Sequence, residues 1–240
     1  MTAEPFFALW VYLAATPLAG LTLTLVMYAL AWWCYERTGR HPLANPVLIT
    51  VVLVIMVLWL TRTSYPTYFD GAQFVHFLLG PAVVGLAVPL VREWPHVRRL
   101  AWPIAASLAV GSTVALLSAV GIGWLLGATP VTLASLAPKS VTAPIAMGIA
   151  EKLGGLPALA AVFAVSTGIL GAALGKFVLD ALRISDWRAR GFALGLAAHG
   201  IGTARSFQVN ADAGAFAGLA FALHAMLAAI LFPLAYWALV

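Results

Sequence analysis

LAPKSVTAPIAMGIAEKLGG, residues 136–155, sets two prolines and a lysine into a chain that is otherwise almost continuously apolar. Hydrophobic residues make up 63% of the 240 residues and charged residues 9%, against about 45–50% and about 25% in soluble domains. Mean hydropathy is +1.00. No soluble core absorbs so much apolar surface, so the setting of this stretch is a lipid bilayer. The question it raises is why Lys139 stands between Pro138 and Pro144, where a membrane segment should be most uniformly helical.

Charge-free runs cover 5–35, 41–61, 71–91, 100–138, 153–175 and 213–240, most of them at or beyond the roughly 20 residues a helix needs to cross hydrocarbon. They lack the alternation of a transmembrane barrel. The chain therefore reads as all-α: a polytopic transmembrane helical bundle of about 7–8 membrane segments, discontinuous or re-entrant helices among them. With no linker or low-complexity tract, residues 1–240 read as a single integral membrane domain. Helices are expected near 17–35, 46–61, 71–91, 100–120, 157–182, 190–208 and 214–239, with a short apolar segment near 5–15 and an interrupted region at 121–155.

The net charge of +5 sits in short loops. Arg37 and Arg40, then Arg92, Arg98 and Arg99, then Arg183, Arg188 and Arg190 mark three loops as cytoplasmic by the positive-inside rule. Charge placed this way speaks to topology, and no nucleic-acid partner is expected. Trp32, Trp33, Trp59, Trp94, Trp102 and Trp187 flank these charges as an aromatic belt at the headgroups. The amino terminus has Glu4 and no basic residue before its first apolar run, so no cleaved signal peptide is expected. Cys34 is the single cysteine and reads as a small apolar packing residue. If the second and third basic loops face one compartment, residues 121–155 contribute zero net crossings or two: a re-entrant hairpin or a span followed by a broken helix satisfies the rule, and one unbroken helix at 130–150 does not.

Proline removes a backbone donor and clashes with the preceding turn, so Pro138 and Pro144 interrupt the helix, and in lipid such backbone is tolerated only inside protein or against water. Pro144 stands near the start of a short helix, 145–153, with Thr142 as candidate cap and Gly154-Gly155 as its end. Lys139, Ser140 and Thr142 then surround a positive helix end with an ammonium and two hydroxyls, the chemistry of a carboxylate site. The competing reading has Lys139 snorkel to the headgroups, which does not require a broken helix.

A second interruption is RGFALGLAAHGIGTARSF, residues 190–207. Gly191 and Gly195 form a small-xxx-small face for close backbone approach. His199 precedes Gly200 and Gly202, which loosen the helix, and is either a substrate or proton-carrying group or an imidazole satisfied by a neighbouring carbonyl. Arg205 is either a second cation for the substrate or a cytoplasmic anchor, and the anchor is the favoured reading. A third interruption, FLLGPAVVGLAVPLV at 77–91, resembles the first in miniature: Leu79-Gly80-Pro81 echoes Leu136-Ala137-Pro138 about 57 residues later. Paired interrupted helices of this kind point to internal repeats around a midplane site.

PKSVTAPIAMGIAEKLGG at 138–155, VSTGILGAALG at 165–175, ARGFALGLAAHGIGTA at 189–204 and YFDGAQFVHFLLGPAVVGLAVPL at 68–90 resemble the LrgB/CidB family of bacterial membrane proteins, over nearly the whole chain from Leu18 to Pro233. Ala198-His199-Gly200 departs from the Ser-His-Ala of typical members, which removes a hydroxyl beside the histidine. The resemblance implies a multi-pass protein of the bacterial inner (plasma) membrane and two functional traditions. One is holin-like or antiholin-like regulation of murein hydrolase export and autolysis. The other is export of glycolate and glycerate, as by a plastid relative, with pyruvate also associated with bacterial members. It further implies an LrgA/CidA-like small membrane protein as partner, in a homo- or hetero-oligomer.

A holin lesion needs neither a lysine at a broken helix nor a histidine before Gly-Ile-Gly, so the residues favour a secondary transporter of small monocarboxylates. In that reading Lys139 and the half-helix hold the carboxylate, Ser140, Thr142 and Thr203 select its other oxygens, and His199 carries a proton. No enzyme is expected: Ser140 beside Lys139 lacks the relative orientation of a hydrolase dyad. His41, His76, His96 and His224 are scattered, so neither a metal nor another cofactor is expected. On a Cys34→Ala background, single cysteines placed in 37–40, 92–99 and 183–190 should all react with a membrane-impermeant maleimide from the cytoplasmic side. Labelling of 183–190 from outside would require an odd number of crossings between 121 and 155.

Overall fold

The computed structural model describes residues 17–78, 81, 91 and 94–239, and every regular element among them is helical. By contact the chain divides into two compact units, residues 1–85 and 86–240. Four described helices are long and apolar enough to cross a bilayer, which makes this a multi-pass helical membrane protein.

The first unit holds α1 (Pro17–Arg37), α2 (Pro46–Thr61) and α3 (Tyr65–Phe77). Asn45 caps α2 by accepting from the N–H groups of Val47 and Leu48, and Pro46 takes the first-turn position where its missing N–H costs nothing. Gly20 lets α1 approach α3 backbone to backbone: a Cβ there would collide with the Tyr68 carbonyl. Thr24 Oγ1 and Tyr68 Oη share a hydrogen bond of 2.8 Å across the same seam. α3 starts at 65, earlier than the expected 71, because the Ser64 hydroxyl accepts from the Thr67 N–H and Pro66 presets its φ for the first turn. The expected interruption at 77–91, including the surroundings of Pro81, and the expected segment at 5–15 lie outside the described residues.

The second unit runs α4 (Trp94–Arg99), α5 (Ala101–Leu125), α6 (Pro130–Leu136), α7 (Ala143–Lys152), α8 (Pro157–Ala181), α9 (Trp187–Val209) and α10 (Ala211–Leu239). α5 continues past the expected end at 120 because Gly123 makes room for the side chains of Leu133 and Leu136; the helix stops at Leu126, before Gly127 at φ +77°. Residues 130–152 then form a helical hairpin. Pro130 follows the Thr129 cap, tight turns carry the chain through 136–141, and α7 returns it until the Leu156 N–H donates to Ser135 Oγ at 2.8 Å. At about 1.5 Å rise per residue, α7 is about 15 Å long, half the thickness of a hydrocarbon core.

α9 is a second hairpin. Two helical stretches abut within it at His199, which adopts φ 43°, ψ −135°, near the first central position of a type II′ turn. The contacts show the chain reversing there. Gly191 meets the backbone of Ala213 and Gly195 that of Ala217, so limb 187–198 runs parallel to α10. Only a return through 200–209 allows this, and Gly202 accordingly lies against the Leu194 carbonyl and Ala198, and Gly214 against Phe207. The small-xxx-small face expected at Gly191 and Gly195 is thus the seam with α10, through contacts no larger side chain permits.

Along α8 the order of contacts runs the other way: Gly175 faces Leu194, Gly171 faces Ala198 and Gly168 faces His199. The hairpin of α9 therefore starts at the carboxyl end of α8 and reaches its middle. The hairpin of α6 and α7 starts at the amino end of α8 and reaches the same level, where Val141 shares an apolar cluster with Ala160, Ala164 and Ala228. α6 and α9 begin 57 residues apart, at Pro130 and Trp187, each opening a hairpin that is followed by a long apolar helix. Described residues thus contain two hairpin-plus-span segments entering from opposite ends of α8.

Close packing at Gly195 should make even one methyl costly. Gly195→Ala should destabilise the protein in detergent by about 1–3 kcal/mol through overpacking, whereas Gly148→Ala, with open space around the added methyl, should be neutral or stabilise by about 0.5–1 kcal/mol. Thermal melting of the two variants against the parent checks the contrast.

Candidate functional site at the hairpin tips

Lys139 stands at the tip of the first hairpin and donates from Nζ to Ser140 Oγ at 3.2 Å. Ser140 and Pro138 are buried and Lys139 is half-buried. Lys139 lies in the turn that joins α6 to α7.

Thr142 occupies the N-cap position of α7 with the extended backbone a cap requires, φ −63° and ψ 149°, yet its hydroxyl makes no capping bond. An N-cap oxygen accepts from the second or third helical N–H, and Pro144 at the second position of α7 removes one of those two donors. α7 spans 143–152 where 145–153 was expected, and Gly154 at φ +74° ends it.

His199 is the tip of the second hairpin. Its ring lies against Gly168, and Nε2 makes a 2.9 Å hydrogen bond with the Ala164 carbonyl. That carbonyl partner is the structural alternative read from the sequence. With Nε2 donating, Nδ1 is left as the acceptor nitrogen of a neutral ring. The break falls on His199 itself and not on the glycines after it. Gly200 is helical with nothing near the position a Cβ would take, while Gly202 is required because a Cβ would lie 2.5 Å from the Leu194 carbonyl oxygen. Thr203 is buried and donates to the His199 carbonyl at 2.9 Å, tying the corner to the returning limb. Arg205, expected as an exposed anchor, is instead buried, with Nη1 3.4 Å from Gln208 Oε1. The reversal at His199 turns it inward.

Two further groups converge here that the sequence did not single out. His224 on α10 is buried, and its Nδ1 shares a 2.7 Å hydrogen bond with Ser112 Oγ on α5. Lys139 lies within electrostatic reach of both imidazoles, His199 and His224. The only sequence signal was a histidine in an apolar helix, and its partner stands 112 residues away. Lys139, His199 and His224 thus act on one another electrostatically, with Ser140 bonded to Lys139, Thr203 to the His199 carbonyl and Ser112 to His224. Such a set can bind a small anion and exchange a proton. A separate cavity of about 520 Å³ runs between α5 and α9 from Asp186 and Arg188 to Gly111 and Leu196, beside Ser112. Arg188 holds the Asp186 carboxyl down to about 2, so the cavity mouth keeps its ion pair across physiological pH. Among the described residues no group of three or more His, Cys, Asp or Glu side chains is placed to hold a metal ion.

Four apolar membrane-length helices, with two helical hairpins between and beside them, define a multi-pass helical membrane protein. Within that class the chain belongs to the LrgB-like family, whose family model matches residues 24–238. It is 35% identical to the uncharacterized protein YwbG of Bacillus subtilis, over 88% of this chain and 93% of that one. It is 28% identical to the holin-like protein CidB of Staphylococcus epidermidis, over 89% and 93% of the two chains. It is 25% identical to the antiholin-like protein LrgB of Bacillus cereus, over 91% and 95%. No solved structure matches the chain.

The corner at His199 yields a test that reverses helix propensity. In a helix interior Ala exceeds Gly by about 0.8–1 kcal/mol, but at a positive-φ corner a β-carbon carries a strain of about 1–3 kcal/mol. His199→Gly should therefore melt higher than His199→Ala. The opposite order would mean that 187–209 relaxes to a continuous helix when the ring is removed.

Proposed function

We propose that this protein is a secondary transporter of small monocarboxylates of the glycolate, glycerate or pyruvate kind in the bacterial inner membrane. The observation that supports the reading is that Lys139, in the turn of the first hairpin and bonded to Ser140, acts electrostatically on His199 at the turn of the second. Lys139 and the amino end of α7 supply positive charge for a carboxylate. Ser140, Thr142 and Thr203 lie close enough in sequence and fold to choose among hydroxyl and carbonyl oxygens. His199 is the first candidate for a coupled proton, and the Ser112–His224 pair is a second.

The fold supports this reading in two further ways. Each hairpin limb is too short to span, so 130–152 and 187–209 act as re-entrant elements and contribute no net crossing. That leaves the basic loops at 92–99 and 183–190 on one side, as the positive-inside rule requires. The repeated hairpin-plus-span arrangement is the layout of transporters with a midplane site between repeats, and a total of about 7–8 membrane segments is part of the same proposal. Because the family match crosses both compact units, we treat residues 1–240 as one functional domain.

A second reading draws on the relatives: the names holin-like and antiholin-like favour a regulator of murein hydrolase export and autolysis, acting with an LrgA/CidA-like membrane protein in a hetero-oligomer. That observation supports the regulator more directly than it supports transport. The two are compatible where carboxylate flux alters the energetics or pH that autolysins respond to.

Uptake of labelled glycolate, glycerate, pyruvate and lactate into proteoliposomes, with and without an imposed pH gradient, separates them. The transporter reading expects saturable uptake of at least one of the four. Lys139→Gln should reduce it about tenfold or more with insertion intact, since a charge-assisted contact contributes about 1.5–3 kcal/mol. His199→Gln should retain exchange and lose acceleration by the gradient. No uptake by well-inserted parent protein, with murein hydrolase release still changed in cells, would assign the chain to the regulator class.

A further inference from the structure

The base of the α9 hairpin, at the opposite end from His199, contains a second cavity, mostly apolar but carrying three cations. About 110 Å³ in volume, it lies between the carboxyl end of α8, both limbs of α9 and the start of α10. Lys176, Arg190 and Arg205 line it together with Trp187 and Ser206, and no acidic residue is in its lining. Asp180 reaches two of the three cations, at 2.7 Å from Lys176 Nζ and 2.7 Å from Arg190 Nη1.

The position constrains what occupies it. Arg190 stacks on Trp187 with its guanidinium carbon 5.2 Å from the ring and donates to the Ile184 carbonyl at 2.8 Å, which holds it at the wall of the cavity. Trp187 and Lys176 are exposed on the outer side, Arg205 and Ser206 buried on the inner side. Trp187 belongs to the aromatic belt, so the mouth opens at headgroup depth on the face that the basic loop 183–190 assigns to the cytoplasm. By helical rise, Arg190 lies about 14 Å below the hairpin tip, which separates this cavity from the Lys139 and His199 group. Basic pockets between helices on this face suit phosphate-bearing headgroups, and paired arginines hold phosphate oxygens in bidentate fashion.

We infer that this cavity is a binding site for a phosphate-class oxyanion, taken from the headgroup of an anionic phospholipid or from free phosphate. The oxyanion sits between Arg205 inside and Lys176 outside, and competes with Asp180 for Lys176 and Arg190; the Ser206 hydroxyl donates to the Gly202 carbonyl at 2.9 Å and only lines the wall. Occupancy clamps the two limbs of α9 to α8.

Full-length protein is tested with two probes. Native mass spectrometry counts phosphatidylglycerol against phosphatidylcholine of equal acyl chains, and thermal melting in phosphatidylcholine nanodiscs is titrated with inorganic phosphate. The expected result is saturable binding of at least one probe, weakened about tenfold by Arg205→Gln, weakened by the surface change Lys176→Gln, and strengthened by Asp180→Asn. Binding of phosphatidylglycerol alone identifies the lipid as the source, and a phosphate response in nanodiscs identifies the free anion. The site is refuted if neither probe binds saturably, or if Lys176→Gln and Asp180→Asn fail to move binding in opposite directions. Those two variants keep the test valid should Arg205→Gln not fold.

Discussion

A helix that ends in the middle of a bilayer must find partners within the protein for its terminal backbone groups, because hydrocarbon offers none. Both hairpins of the second unit answer this requirement. At the base of the first, Ser135 is fully buried and its hydroxyl joins the two limbs, donating to the Val131 carbonyl and accepting from the Leu156 N–H. Gly155 leaves room for that bond, since a Cβ there would lie 2.8 Å from Ser135 N. In the second, glycines at 168, 171, 191, 195 and 202 bring backbones close enough to bury the reversal. Small residues are where such packing energy comes from in a membrane, where the solvent is as apolar as the side chains.

His199 links this constraint to chemistry. Its backbone holds a conformation that suits glycine, and its ring is pinned to the Ala164 carbonyl while Thr203 anchors the carbonyl of the same residue. The strain is kept because the corner is held from three directions, by α8, by the returning limb and by its own side chain. An imidazole that defines the corner is also one whose hydrogen bonding responds to movement of that corner.

Charge is divided along the α9 hairpin. Its base carries Arg188, Arg190, Lys176 and Arg205 with Asp180 and Asp186 as counter-ions, while its tip is the His199 imidazole, within electrostatic reach of a single lysine. Charges near headgroups are cheap and adjustable; those near the middle are costly, about 2.5–3.5 kcal/mol for a lysine on insertion scales.

Composition and the spacing of prolines and glycines by themselves determined that this is a multi-pass helical membrane protein, that the helix breaks between Pro138 and Pro144, and that Gly191 and Gly195 receive another backbone. These follow from local chemistry: hydrophobic length, a missing N–H and a missing Cβ. The reversal at His199 was not legible, because the residues around it are compatible with a continuous helix and no proline marks the corner; only the fit of α8 and α10 against both limbs selects it. The burial of Arg205 follows from that reversal, and Pro144 removes one of the two donors open to the Thr142 hydroxyl once α7 starts at Ala143. The pairing of Ser112 with His224 belongs to tertiary structure alone, since it joins helices far apart in the chain through a bond that neither local sequence encodes.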